Sequence, residues 1–135
     1  MLNIKKVDHI GIIVKDLEKA KQFYINVLGL KQGQEDEYMP NYKCKIAFFP
    51  CGDTELELIA PTEADSVYGK YIEEYGEGIH HVAFKVDDIE SALAEMKAKN
   101  IKLVDVVPKR GAANANIAFL HKDAAFGSSI ELTQR

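Results

Sequence analysis

Four residues in this 135-residue sequence have metal-ligand chemistry and sit in segments of alternating hydrophobicity: His9, Glu57, His81 and Glu131. Side chains alternate across a strand, so His9 shares a face with Gly11 and Ile13, while Ile10, Ile12 and Val14 take the other. By the same count His81, Ala83 and Lys85 oppose Val82, Phe84 and Val86, Glu57 opposes Leu56 and Leu58, and Glu131 opposes Ile130 and Leu132. In each strand the apolar set suits the underside of a helix. Two imidazoles and two carboxylates are left on the far face, a mixed nitrogen and oxygen set suited to one divalent ion: Co²⁺, Ni²⁺, Mn²⁺ or Zn²⁺. Taken singly, a strand-start His is ordinarily a hydrogen-bonded structural residue and a strand-end Glu a solvated one. The case for a site rests on the four falling as two equivalent pairs.

The elements that must position them come twice. DHIGIIVKDLEKA, from Asp8 to Ala20, lies over HHVAFKVDDIESA, from His80 to Ala92, at a shift of 72. KIAFFP from Lys45 lies over NIAFLH from Asn116 at a shift of 71, and GDTELELIAP lies over GSSIELTQR so that Glu57 meets Glu131 at 74. Three matches in one order with so little drift mark a repeated module of about 60 residues. The expected organisation is a single domain of two modules, about 5–62 and 77–135, joined by a short helical linker over Asp65 to Tyr75 that Gly76 ends.

Each module reads strand, helix, strands. Asp16 and Asp88 are placed as helix N-caps. Leu17, Ala20, Phe23, Tyr24, Val27 and Leu28 recur at helical spacing before Gly29, as do Ile89, Ala92, Leu93 and Met96 before Asn100. Strands are expected near Lys31–Asp36, Lys43–Phe49 and Glu55–Ile59, and again near Lys102–Val107, Asn116–His121 and Ser129–Thr133. The fold class is α+β, with paired βαβββ modules forming a cup-shaped, mostly antiparallel sheet with helices on the outside.

Composition narrows the partners. With 17 Lys and Arg against 21 Asp and Glu the formal charge is −4, without the clustered cations that phosphate binding needs. Lys5-Lys6 and Lys109-Arg110 are too short to reverse that. No run approaches the ~18 to 20 apolar residues of a membrane span, and Lys5, Lys6 and Asp8 precede any signal-like segment. The expectation is a soluble, cytoplasmic chain with neither nucleic acid nor membrane as partner. Folding at this length removes roughly 68% of the unfolded surface from water, enough to dispense with disulfide or zinc staples. Cys44 and Cys51 lack a CxxC spacing and read as reduced structural thiols.

The residues DHIGIIVKDLEKAKQFYINVLGL, GDTELELIAP, GEGIHHVAFKVDDIESAL, PKRGA, IAFLH and IELTQ together resemble the vicinal oxygen chelate superfamily (glyoxalase, bleomycin resistance, dioxygenase) over essentially the whole chain, and within it look most like the methylmalonyl-CoA epimerase branch. The resemblance implies paired βαβββ modules around a metal held by His9, Glu57, His81 and Glu131, an acyl-CoA substrate and a homodimer. It implies epimerisation by α-proton abstraction through a metal-stabilised enolate, with Glu131 as general base and Lys45 and Asn116 as substrate contacts. Two positions depart from the branch. Lys45 stands where some epimerases carry a second Glu as partner base, and Ala113-Asn114 where the loop after PKxGA usually has His-Gly. Lys43, Lys109 and Arg110 are candidate cations for the CoA phosphates, although scattered surface charge is the default explanation for them. Tyr38 reads as a loop residue that either covers the pocket or has no role. His80 and the rings of Phe48, Phe84 and Phe119 read as packing residues, and Phe49 as core or pocket lining.

Glyoxalase I-like lactoylglutathione lyases are the rival within the superfamily. Bacterial forms tend to carry an Arg four residues after the first His and an Asn four residues after the first Glu, both serving glutathione; here those positions are Ile13 and Pro61. The loss of a charge-assisted and an amide contact, worth a few kcal/mol between them, favours the epimerase. A non-catalytic binding or resistance protein of the same fold commonly lacks the ligand set this chain retains. Ring-cleaving dioxygenases usually present two His and one Glu in a chain about twice as long.

Overall fold

The computed structural model describes all residues from Met1 to Arg135. The chain folds into two compact units, Ile10–His80 and the combination of Met1–His9 with His81–Arg135. Through the first half run β1 (Lys6–Ile13), α1 (Leu17–Gln22), β2 (Glu37–Met39), β3 (Cys44–Cys51), β4 (Thr54–Pro61) and α2 (Val67–Tyr75). Through the second run β5 (Gly78–Lys85), α3 (Ile89–Ala98), β6 (Lys109–Arg110), β7 (Asn116–Phe119) and β8 (Ile130–Gln134). The strands are hydrogen-bonded in the order β2-β3-β4-β1-β5-β8-β7-β6, so the sequence β2-β3-β4-β1 is repeated by β6-β7-β8-β5. Pairing is antiparallel for β2/β3, β3/β4, β6/β7 and β7/β8, and parallel for β5/β8. This is the α+β, mostly antiparallel βαβββ fold expected from the repeat.

The repeat holds down to single hydrogen bonds. Asp16 caps α1 by accepting from Lys19 N at 3.1 Å, and Asp88 caps α3 by accepting from Ser91 N at 3.0 Å. Val14 N donates to Ile59 O, and its repeat mate Val86 N to Thr133 O, each at 2.9 Å. In the first unit Leu17, Ala47, Phe49, Leu58 and Ala60 form a core with Ile12, Val14 and Tyr24 packed on it. In the second, Ile89, Ala92, Leu93, Ala118 and Leu132 do so with Phe84. The apolar face of each strand therefore lies under its own unit's helix, as alternation requires. No helix is long and apolar enough to cross a membrane.

Three elements differ from the sequence expectation. The first helix leaves α geometry after Gln22 and makes a wider π turn over Phe23–Val27, closed by Leu28 N donating to Phe23 O at 3.2 Å. The extra residue shifts the apolar stripe out of phase. Tyr24 stays on the core, its ring 5.8 Å from that of Phe49, while Phe23, Val27 and Leu28 are exposed. Lys31–Asp36 is irregular rather than a strand. There Gly33 N donates to Phe48 O at 2.8 Å, and a β-carbon on Gly33 would meet the Pro50 ring at 2.9 Å, a close approach only glycine permits. Asp36 is engaged with Lys21 at 2.7 Å and with Gln32. Lys102–Val107 contributes a single bridge, Leu103 to Leu120, because Asp105 takes the Phe119 N–H on its side chain at 2.8 Å and interrupts the ladder.

Both cysteines are free. They lie at opposite ends of β3, Cys44 fully buried and Cys51 exposed. Burial, with the charges of Glu37 and Glu57, pushes the Cys44 thiol up to about 12. The thiolate is the reactive species, so a maleimide at neutral pH is expected to label Cys51 alone in the native protein and Cys44 only after denaturation. Mass spectrometry of the labelled peptides reads both sites.

Candidate functional site

His9 and His81 stand on β1 and β5, and Glu131 on β8 in register with Ala83 of β5. One ligand atom from each of the three falls within 4.8 Å of the others, and all three residues are buried. The His9 and His81 Nε2 atoms are 3.2 Å apart with their rings nearly perpendicular. Glu131 Oε2 is 3.2 Å from His9 Nε2, and Oε1 is 3.5 Å from His81 Nε2.

His9 is held from behind. Its Nδ1 lies 2.8 Å from Asp8 Oδ2, and the Arg135 guanidinium donates to that same oxygen from Nε at 3.2 Å and from a terminal nitrogen at 2.8 Å. Burial on its own would raise the Asp8 carboxyl; hydrogen bonds from His9 and Arg135, with their charges, outweigh it and hold the group down to about 2. Asp8 is thus a carboxylate, which only accepts, so Nδ1 donates to it and Nε2 is the ring nitrogen turned to the cluster. That nitrogen stands 3.2 Å from Glu131 Oε2, a buried oxygen with no hydrogen bond. A ring nitrogen and a carboxylate oxygen this close share a proton or a cation. Two nitrogens bound to one ion at about 2.0–2.1 Å stand about 3 Å apart, and the imidazole spacing here is 3.2 Å. The donor set and its spacing fit a divalent ion.

The remaining expected site residues lie elsewhere. Glu57 belongs to the Ile10–His80 unit, where it is 2% exposed on β4 and paired with Phe48 of β3. Lys45 pairs with Ala60 and shares its face with Ala47 and Phe49, the side that packs on α1. There it borders an open depression lined by Lys21, Gln32 and Asp36. Asn116 pairs with Gln134, one step out of phase with Glu131, and shares its face with Ala118 under α3. These two repeat mates are corrected together. A one-residue slip in strand register exchanges the faces, and Lys45 and Asn116 point away from the faces of Glu57 and Glu131. Lys43 pairs with Asp65, and Arg110 with Asn114. Phe49 is helix-side core rather than lining.

Three residues beyond the expected set act here. Asp8 and Arg135 brace His9, and only the Asp-His dipeptide hints at them in the sequence. Phe119, expected as core, pairs with Glu131 across β7 and β8 and sets its ring edge-on to His81, with centroids 5.3 Å apart. Lys109, paired with Ile117 on that face, carries its Nζ 5.4 Å from the Phe119 ring centroid and 3.2 Å from Asp105. His80 is set among tyrosines, its ring 4.8 Å from Tyr71 and 5.7 Å from Tyr68.

Fold and donor set define a repeated βαβββ protein with a buried site able to hold a metal ion. The chain belongs to the glyoxalase/bleomycin resistance protein/dioxygenase superfamily, whose profile matches residues 8–119. It is 36% identical over 131 residues to the uncharacterized protein YqjC of Bacillus subtilis, a match covering 97% of this chain and 93% of that one. It is 35% identical over 133 residues to the mitochondrial methylmalonyl-CoA epimerase of Bos taurus, covering 98% of this chain and 75% of that one. The Streptomyces coelicolor methylmalonyl-CoA epimerase in complex with 2-nitronate-propionyl-CoA superposes with a TM-score of 0.90 at 30% identity, covering 98% of this chain and 95% of that one.

Proposed function

We propose that the protein is a metal-dependent epimerase of methylmalonyl-CoA. The observation that carries the reading is the buried His9, His81 and Glu131 cluster, whose ligand atoms lie within 4.8 Å of one another; the likeness to two methylmalonyl-CoA epimerases supports the substrate. His9, His81 and Glu131 would hold the ion; Glu57, the fourth ligand the resemblance implies, belongs to the other unit. A divalent ion so held is a Lewis acid that lowers the cost of negative charge on a thioester oxygen.

The chain's own residues do the rest. Glu131 takes the proton between thioester and carboxylate, being the one carboxyl group of the cluster. Asp8 and Arg135 keep His9 Nε2 directed at Glu131, and Phe119 packs against His81 to keep water from that side. Lys109 is a cation on the Glu131 face, in place of Lys45, to meet the substrate's negative end. A water on the opposite face of the enolate returns a proton and completes epimerisation, and the proton held by Glu131 passes to solvent.

Proton NMR of methylmalonyl-CoA in D₂O tests this. The cobalt-loaded protein is expected to erase the α-proton signal, and the metal-free protein to leave it. No exchange with metal bound would sink the epimerase reading and direct attention to hemithioacetals of thiol cofactors.

A further inference from the structure

The two modules treat their histidines differently. Under the repeat His9 matches His81, but Asp8 matches His80, and Arg135, four residues beyond Glu131, matches Pro61, four beyond Glu57. The sequence places the Arg–Asp brace in one module only. Its geometry is complete. Asp8 Oδ2 is 2.8 Å from His9 Nδ1 and accepts from Arg135 Nε at 3.2 Å and from a terminal Arg135 nitrogen at 2.8 Å. Asp8 is 7% exposed and the Arg135 side chain 24%, so the pair is largely shielded from solvent.

We infer that Arg135 and Asp8 are positioning residues that act through His9: they fix its ring in the Nδ1–H tautomer and make it the anchoring ligand of the site. A carboxylate behind a ligating imidazole raises the basicity of the other nitrogen and removes the ring's freedom to flip. Arg135 in turn fixes the carboxylate, whose second lone pair would otherwise turn to solvent. A planar fork does this in one geometry, which a lysine can only approximate. In the other module the His81 ring stands edge-on to Phe119, with centroids 5.3 Å apart. The inference rests on the proposed metal site for its affinity consequence, not for the tautomer.

Two measurements decide it. Long-range ¹H–¹⁵N correlation on the metal-free protein reads the tautomer: His9 is expected as a single Nδ1–H form in wild type and as a mixture in Asp8→Ala. Competition with a chromophoric chelator for Co²⁺ reads affinity. Asp8→Ala is expected to weaken binding about 10–100-fold, Arg135→Ala to weaken it by less, and Arg135→Lys to recover part of that loss. A purely structural role would lower the melting temperature without moving the tautomer. Unchanged affinity in Asp8→Ala, or mixed tautomers in wild type, would overturn the inference. If wild type bound no Co²⁺ at all, the proposed function would fall, while a tautomer released by Asp8→Ala would still support the brace.

Discussion

Glu131→Gln is expected to slow solvent exchange of the substrate α-proton by about 10²–10⁴-fold while leaving the protein folded. Glutamine keeps the volume and one oxygen, and loses the capacity to accept a proton. The site accommodates it, because Glu131 Oε2 lies 3.2 Å from His9 Nε2, within hydrogen-bond reach of an amide in its place. Melting temperature should therefore hold or rise in the metal-free protein. Glu131→Asp separates placement from charge, because it keeps the carboxylate and withdraws it by one methylene. A displacement of about 1 Å can cost about 10²-fold, so Asp should lie between wild type and Gln. Exchange in Glu131→Gln within tenfold of wild type would move the base to another residue.

The parts of the fold that were legible in the sequence are those where one physical rule acts alone. Alternation in IGIIV and VAFKV set His9 and His81 opposite the apolar positions, and the structure packs Ile12, Val14, Phe84 and Val86 with the helix-side cores. Asp16 and Asp88 were legible as caps because a short acceptor just before a helix has little else to do. Where two rules compete, the sequence is mute. Nothing in FYINV distinguishes a π turn from a further α turn, since both bury Tyr24 and only the phase of Phe23 and Val27 differs. Lys31–Asp36 has β-compatible length, yet Gly33 must approach Pro50 closely and Asp36 must meet Lys21, both contacts between distant positions.

The same division runs through the site. Repeat-related His9, His81 and Glu131 could be picked out because the shift of about 72 residues carries one ligand type onto another. Lys45 and Asn116 were picked by likeness of position, and a single-residue register error sends both to the helix side. The brace was out of reach because Asp8 and Arg135 are 127 positions apart and have no counterpart in the other module. A feature that breaks the repeat is invisible to an argument that runs on the repeat. The two modules have thus kept a shared scaffold, and the difference between their histidines lies in what stands behind each ring.

His81→Ala is expected to reduce bound ion from about one per chain to a small fraction under conditions that saturate wild type. The affinity loss should exceed the roughly 100-fold upper range for removing a supporting group, since a ligand itself is removed. His81 is 4% exposed, with Nε2 3.2 Å from His9 Nε2 and 3.5 Å from Glu131 Oε1. Its ring also supports Phe119, so truncation leaves a cavity and destabilises the metal-free protein by itself. The two consequences are separable by thermal unfolding with and without ion. An ion at 100 times its dissociation constant adds about 2.7 kcal/mol to a protein that binds it only when folded. Wild type should show that increment and His81→Ala should lose it, whatever the packing cost to its baseline. An undiminished ion-dependent rise in the variant would remove His81 from the ligand set and leave it as the packing partner of Phe119.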